Sequence, residues 1–193
     1  MDIALFENNL NTIKDTSLRR CAVEVILKAA EFYNTIPSSI TGLRHPVDEL
    51  GEYGKVIHLK KCFHLAEQSA KRYEIKGEEY EILRTACLIH DLPYSIYYDK
   101  ELERYKTNYD HPFLNAYYLA GVTDNRLLIA SVYYHMGIWA NYDSDIAHKL
   151  DFLELQEFKN HLVVLATQEA DYYASRRDIT VTGWYSWWLI LIN

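Results

Sequence analysis

The chain has 193 residues, 49% apolar and 24% charged, and its 27 Asp and Glu outnumber its 20 Lys and Arg for a net charge of -7. Such a composition excludes a disordered chain, and with no run approaching about 18 apolar residues no spanning helix is expected. No basic stripe is present, so long-range attraction of a polyanion is excluded as the driver of function.

Helical periodicity dominates, punctuated by only seven glycines and four prolines. The opening "MDIALFENNL" lacks the basic start and long apolar stretch of a signal peptide, which points to a cytoplasmic location. A first helix is predicted through "SLRRCAVEVILKAAEFYNT", ending before Pro37, with Leu18, Cys21, Ala22, Val25 and Ala29 as its buried stripe. The stretch "IPSSITGLRHPVDELGEYG" reads as a loop with one short turn around Val47 to Leu50. Helices follow near 55–73 and 78–91, and 92–109 is expected to be irregular or a short helix. The next helix opens at "DHPF", with Pro112 in its first turn, and stops near Gly121. Asp124 is the expected cap of a helix over about 125–136. A long helix is predicted over about 153–176, and "ITVTGWYSWW" beyond Asp178 could be extended. The class is therefore all-α with at most a minor β tail, as one domain over 1–193. The aromatic "WYSWWLILIN" is expected to pack against the domain or a second copy, since so apolar a stretch makes a poor free tail.

The three cysteines, Cys21, Cys62 and Cys87, are isolated in apolar helical patterns. They read as buried free thiols of a reducing cytoplasm, with no disulfide framework and no thiolate zinc site.

Histidine phase carries more information. His58 shares a helix face with Cys62, Leu65 and Ser69, bordering the apolar face of Val56, Leu59, Phe63 and Ala66, so it points inward. His64 lies with Lys61 and Gln68 on the polar side and reads as exposed. His90 follows Leu83, Ala86 and Cys87 in helical register and is inward too. His111 opens one helix, His135 closes another, and Asp171 interrupts the apolar run "HLVVLATQEADYYASRR". Singly, each has an ordinary reading. A lone inward histidine is more often a hydrogen-bonded core residue than a ligand, His111 is a helix-start residue beside Pro112, and Asp171 is an ion-pair partner for Arg176 or Arg177. Together they favour a cation, because several unpaired ionisable groups in one core each cost a few kcal/mol, about 2–7 on transfer scales. Imidazole nitrogens and carboxylate oxygens suit Zn, Mn, Fe, Co or Ni, and Mg more weakly.

The segments "IHLKKCFHLAE", "ACLIHDLPY", "YDHPFLNAYYL", "SVYYHMGIW" and "ATQEADYYASR" resemble, in order, the motifs of the HD-domain metal-dependent phosphohydrolase superfamily, over about residues 40 to 176. The resemblance implies a helical bundle with a divalent metal on His58, His90, Asp91 and Asp171. It implies that His111 and His135 hold a second metal in two-metal members, with Asp91 bridging. The catalytic candidates are accordingly Asp91, His111 and His135. A divalent metal lowers the pKa of a water, so that hydroxide can attack phosphorus near neutral pH. Arg44, His45, Lys55 and Lys61 precede or share the His58 segment and are candidates to touch phosphates; solvated surface charge, and for His45 a turn before Pro46, are the alternatives.

One departure bears on activity. Many phosphodiesterase-like members carry lysine three positions after the motif aspartate, and many monophosphate nucleotidases carry glutamate. This chain has Tyr94 there, which with Tyr97 and Tyr98 could wall a nucleobase pocket or simply pack. The resemblance thus implies a hydrolase of small nucleotides, with a deoxynucleoside triphosphohydrolase as first choice and nucleic acid as the lesser partner. A phosphodiesterase or oligonucleotide nuclease is the alternative within the superfamily. A non-catalytic, metal-containing nucleotide-sensing module is the alternative from another functional class. Members are often oligomers, so a homo-oligomer is a further expectation.

Overall fold

A computed structural model describes residues 1–150 and 153–176. A 3-10 turn at Ile3–Phe6 leads into α1 (Glu7–Thr12), neither of which stands out in the sequence pattern. Helix α2 spans Thr16–Lys28, capped by the Asp15 carboxylate, which accepts from the N–H groups of Ser17 and Leu18. It stops well short of the expected end near residue 35. Ala29 turns extended, and Glu31–Asn34 forms a separate 3-10 turn. That turn buries Tyr33, whose hydroxyl donates to the carbonyl of Ile96 and accepts from its N–H at 2.9 and 2.8 Å. A continued helix would carry the ring away from this long-range anchor.

The loop that follows contains the expected short turn, Val47–Glu49. Helix α3 spans Gly54–Arg72 and α4 spans Gly77–Ile89, as the periodicity predicts. Gly54 seats the loop on the start of α3. A Cβ there would lie 2.1 Å from the Glu49 carbonyl oxygen and 2.8 Å from the Ser38 nitrogen. The same join is stitched by Ser38 N–H to Glu49 O at 2.8 Å and Lys55 N–H to Ile36 O at 3.1 Å.

Residues 92–109 differ from expectation. They form an antiparallel hairpin, β1 (Ile96–Asp99) and β2 (Arg104–Thr107), with Ile96 opposite Thr107 and Asp99 opposite Arg104. The Asp99 side chain closes its turn by accepting from the N–H groups of Glu101 and Leu102. No Asn-Gly or Asp-Gly pair marks this turn, which is why the pattern hides it. The minor β content thus lies here; the tail expected to be extended lies outside the described residues.

Helix α5 (His111–Ala120) begins at "HPF" and is followed by Gly121, as expected. Helix α6 (Arg126–Tyr134) is capped by Asn125, not Asp124: the Asn125 side chain accepts from Leu128 N–H at 2.9 Å. A short α7 (Asp145–Lys149) follows, then a 3-10 turn at Leu153–Phe158 and α8 (Leu162–Ala174). The single helix expected over 153–176 is therefore broken, with His161 capping α8 through its Nδ1. Helix α3 packs against α4 and α8, α4 also against α2 and α6, and α6 against α5 and α8. Leu59, Ala66, Leu83, Ala86, Val163 and Ala170 fill the space between them and are fully buried; each large aliphatic contributes roughly 1.5–3 kcal/mol. All three cysteines are buried and free. Among the described residues no helix is long and apolar enough to cross a membrane.

Candidate metal centre

Five elements deliver polar side chains to one buried point. His58 comes from the first turns of α3, His90 and Asp91 from the end of α4, and His111 from the start of α5. His135 comes from the end of α6 and Asp171 from the last turns of α8. The four histidines are at most 5% exposed, whereas His64 lies on the surface, as its phase predicts.

Each histidine has its Nδ1 committed to an acceptor. His90, His111 and His135 each meet the carbonyl three residues earlier, those of Cys87, Asn108 and Val132, at 3.1, 2.7 and 2.6 Å. For His90 and His135 these are last-turn carbonyls, which lack an intrahelical donor. His58 Nδ1 meets Glu49 Oε2 at 3.2 Å. An N–H on Nδ1 leaves Nε2 with its lone pair, so all four present the same ligating nitrogen to the centre. Nε2 of His90 is fully buried and, among the described residues, has no hydrogen-bond partner. Nε2 of His111 and Nε2 of His135 stand 3.1 Å apart, too close for two lone pairs unless a proton or a cation lies at hand.

The carboxylates complete the pattern. Asp171 Oδ1 is 3.2 Å from His58 Nε2 and 3.6 Å from His90 Nε2. Asp91 Oδ1 is 3.0, 3.5 and 3.8 Å from Nε2 of His111, His135 and His90. Its Oδ2 is 3.9 Å from His58 Nε2 and 2.6 Å from Lys55 Nζ. With metal–ligand bonds of about 2.0–2.1 Å, neighbouring ligands lie about 2.9–3.4 Å apart. The observed spacings match that range or slightly exceed it, so the residues fit a divalent cation. His58, His90, Asp91 and Asp171 would hold one ion. His111 and His135, with Asp91 Oδ1 between the two sets, could hold another.

Cys62 Sγ also approaches His58 Nε2, at 3.6 Å. Burial pushes its thiol up to about 12, so it is protonated at neutral pH and a weaker ligand than either carboxylate. Burial also pushes Asp91 up, but Lys55, His90, His111 and His135 outweigh it and hold the carboxyl well below its usual range. Asp171 is held well below its usual range in the same way, its burial outweighed by His58 and His90. It pairs with these two rings and not with Arg176.

The centre forms the floor of a cavity of about 650 Å³. Arg44, His45 and Lys55 line it, as do Trp139, Gln168 and Tyr172. Lys55 is a buried partner of Asp91, so it is no solvated surface charge. Lys61 is buried too, but it is held by Asp48 and Glu49 at 2.8 and 2.9 Å and does not line the cavity. Tyr94, Tyr97 and Tyr98 lie outside the cavity walls. Tyr94 meets Tyr118 edge-on, and its N–H is held by Asn115 Oδ1 at 2.9 Å, while Asn115 Nδ2 binds the His90 carbonyl at 2.8 Å. The position where many relatives carry lysine or glutamate therefore adds nothing to this cavity, and Lys55 is the cation beside Asp91.

Glu49 is one site residue that sequence reasoning missed, as are Trp139, Gln168 and Tyr172 in the cavity wall. It is fully buried and joins His45 (2.7 Å), His58 and Lys61. Burial pushes its carboxyl up, but these three neighbours reverse that and hold it at about 2. A glutamate in a polar loop four residues after a histidine is a weak sequence signal, and Gly54 nearby hints at close backbone approach only in hindsight.

A family model described as HD domain matches residues 56–176. The match begins just after Lys55 and contains all six candidate ligands. Neither a search of the curated proteins nor one of the solved structures gave a match. With well over half of its length matched, the chain belongs to the HD-domain family of the metal-dependent phosphohydrolase superfamily.

Proposed function

We propose that this chain hydrolyses a phosphate ester or anhydride bond of a small nucleotide, with deoxynucleoside triphosphates the first substrates to try. The observation that supports it best is the set of four Nε2 atoms and two carboxylates, all but His90 lining the floor of a cavity sized for one small molecule. A divalent metal there would supply Lewis acidity and a water of lowered pKa. The chain's own residues set the conditions for it. Lys55 keeps Asp91 ionised, and Glu49 fixes the His58 ring and its tautomer. His111 and His135 reach the cavity from helix ends, where they can face a phosphoryl group or a second ion. Burial of the whole set strengthens every charge interaction made there.

The test is product analysis on a panel of nucleotides, including a dinucleotide, with added Mn or Co. Release of triphosphate, monophosphate or inorganic phosphate reports which bond is cut. Cleavage of the dinucleotide alone would replace the first choice with a phosphodiesterase or nuclease. Tight nucleotide binding by metal-loaded protein without turnover would leave a sensing module.

A further inference from the structure

We propose that Arg44 and Arg176 form a paired guanidinium clamp for the polyphosphate tail of a nucleoside triphosphate. The nature of the ligand rests on the phosphohydrolase reading above; the clamp itself rests on different residues.

Both arginines line the cavity, and each is laid on an aromatic ring. The Arg44 guanidinium sits 4.2 Å from the centre of the Trp139 ring, and that of Arg176 sits 4.1 Å from the centre of the Tyr172 ring. Trp139 and Tyr172 are about half exposed, whereas the histidines are buried, so the pairs occupy the outer part of the cavity above the centre. A ring face holds a guanidinium flat by cation–π attraction and leaves its N–H edge open. That edge is the fork that fits phosphate oxygens two at a time.

The two differ from three basic residues of α3, which are already paired. Arg72 pairs with Glu169, Lys55 with Asp91, and Lys61 with Asp48 and Glu49. Among the described residues neither Arg44 nor Arg176 has a carboxylate partner. Among the described residues Nε of Arg176 is buried with no acceptor, a state that costs free energy until an acceptor arrives. Glu169, which shares the wall, is itself satisfied by Ser69, Arg72 and Tyr73.

Charge decides the ligand class. The net charge of -7 disfavours any approaching polyanion, so the attraction has to be local. A single phosphoryl group on the floor would already have Lys55 and the cavity-lining histidines beside it. Two more guanidiniums farther out, with several donors each, match the further phosphates of a triphosphate better than the one phosphate of a monophosphate.

Calorimetry on the full chain as purified tests this with two probes, an α,β-imido deoxynucleoside triphosphate that is checked to stay intact through the titration and the matching monophosphate. Their base and sugar contacts are the same and cancel in the comparison. The triphosphate analogue should bind at least tenfold tighter. Arg44→Ala and Arg176→Ala should each weaken it about ten- to a hundredfold, the scale of losing a hydrogen bond to a charged group, and weaken the monophosphate much less. Arg44→Lys and Arg176→Lys should recover only part of the loss, because an ammonium has neither the fork nor the planar stack. Trp139→Leu, which keeps Arg44 but removes its platform, should fall between. Alanine and lysine variants that melt like the parent and keep its triphosphate affinity would overturn the clamp. If they lose that affinity while the parent turns over no nucleotide, the clamp stands and the hydrolase reading fails; turnover with affinity unchanged in the variants gives the reverse.

Discussion

Glu49 Oε2 lies 3.2 Å from Nδ1 of His58, so a loop carboxylate outside the HD-matched residues orients a histidine inside them. The carboxylate fixes which nitrogen faces the centre and makes that nitrogen a better donor to a cation. Glu49→Gln keeps the shape but removes the charge. Metal affinity should fall about ten- to a hundredfold, the usual effect of losing such an outer partner. A competition titration with a coloured chelator measures it, and an unchanged dissociation constant would assign Glu49 to loop packing alone.

His90 and Asp171 meet at 3.6 Å, and among the described residues no hydrogen bond satisfies His90 Nε2. His90→Ala and Asp171→Ala should each remove metal from the purified protein, read by elemental analysis. Acid should do the same. Binding needs Nε2 unprotonated, so protons compete with the metal, and affinity should weaken as pH falls. Full metal content in both variants would contradict this ligand set.

Gly54 connects fold to site. A Cβ at this position would lie 2.1 Å from the Glu49 carbonyl oxygen, a clash with backbone that no side-chain rotation relieves. Gly54→Ala should lower stability by roughly 1–3 kcal/mol, the scale of overpacking. It should also weaken metal binding, because the displaced loop carries Glu49. Thermal melts of metal-free protein separate the two effects. A variant as stable as the parent, with equal metal affinity, would show that the loop does not need this close approach.

The inward histidines His58 and His90 were readable because helical phase is a local property, while the candidate ligand set as a whole came with the family resemblance. The offsets of His58 from Cys62 and of His90 from Leu83 place both inward, and the structure buries both. Other features depend on contacts far along the chain. Helix α2 ends at Lys28 because Tyr33 is tied to Ile96, 63 residues away. The hairpin is closed by an Asp99 side chain where glycine would be the usual signal. Glu49 reaches His58 only because the loop folds over Gly54, and Lys61 turns to Asp48 and Glu49 instead of the cavity for the same reason. None of these partners is a periodic neighbour, so pattern alone could not supply them.

His111 and His135 should matter more for turnover than for folding. Their Nε2 atoms stand 3.1 Å apart, and His111 Nε2 is 3.0 Å from Asp91 Oδ1. Both sit at helix ends and line the cavity, so neither ring is needed to fill the apolar core. The other four ligand residues would still hold one ion without them. Charge building on a phosphoryl group would lose its neighbouring stabiliser, an effect of roughly two to three powers of ten in rate. His111→Ala and His135→Ala should therefore keep at least one metal per chain and a near-parental melting curve while hydrolysis falls steeply. Each truncation also frees the other ring from a close nitrogen–nitrogen approach, which offsets part of the lost packing. A variant that unfolds would make that histidine structural, and two variants with full activity would make both rings bystanders to a one-metal centre.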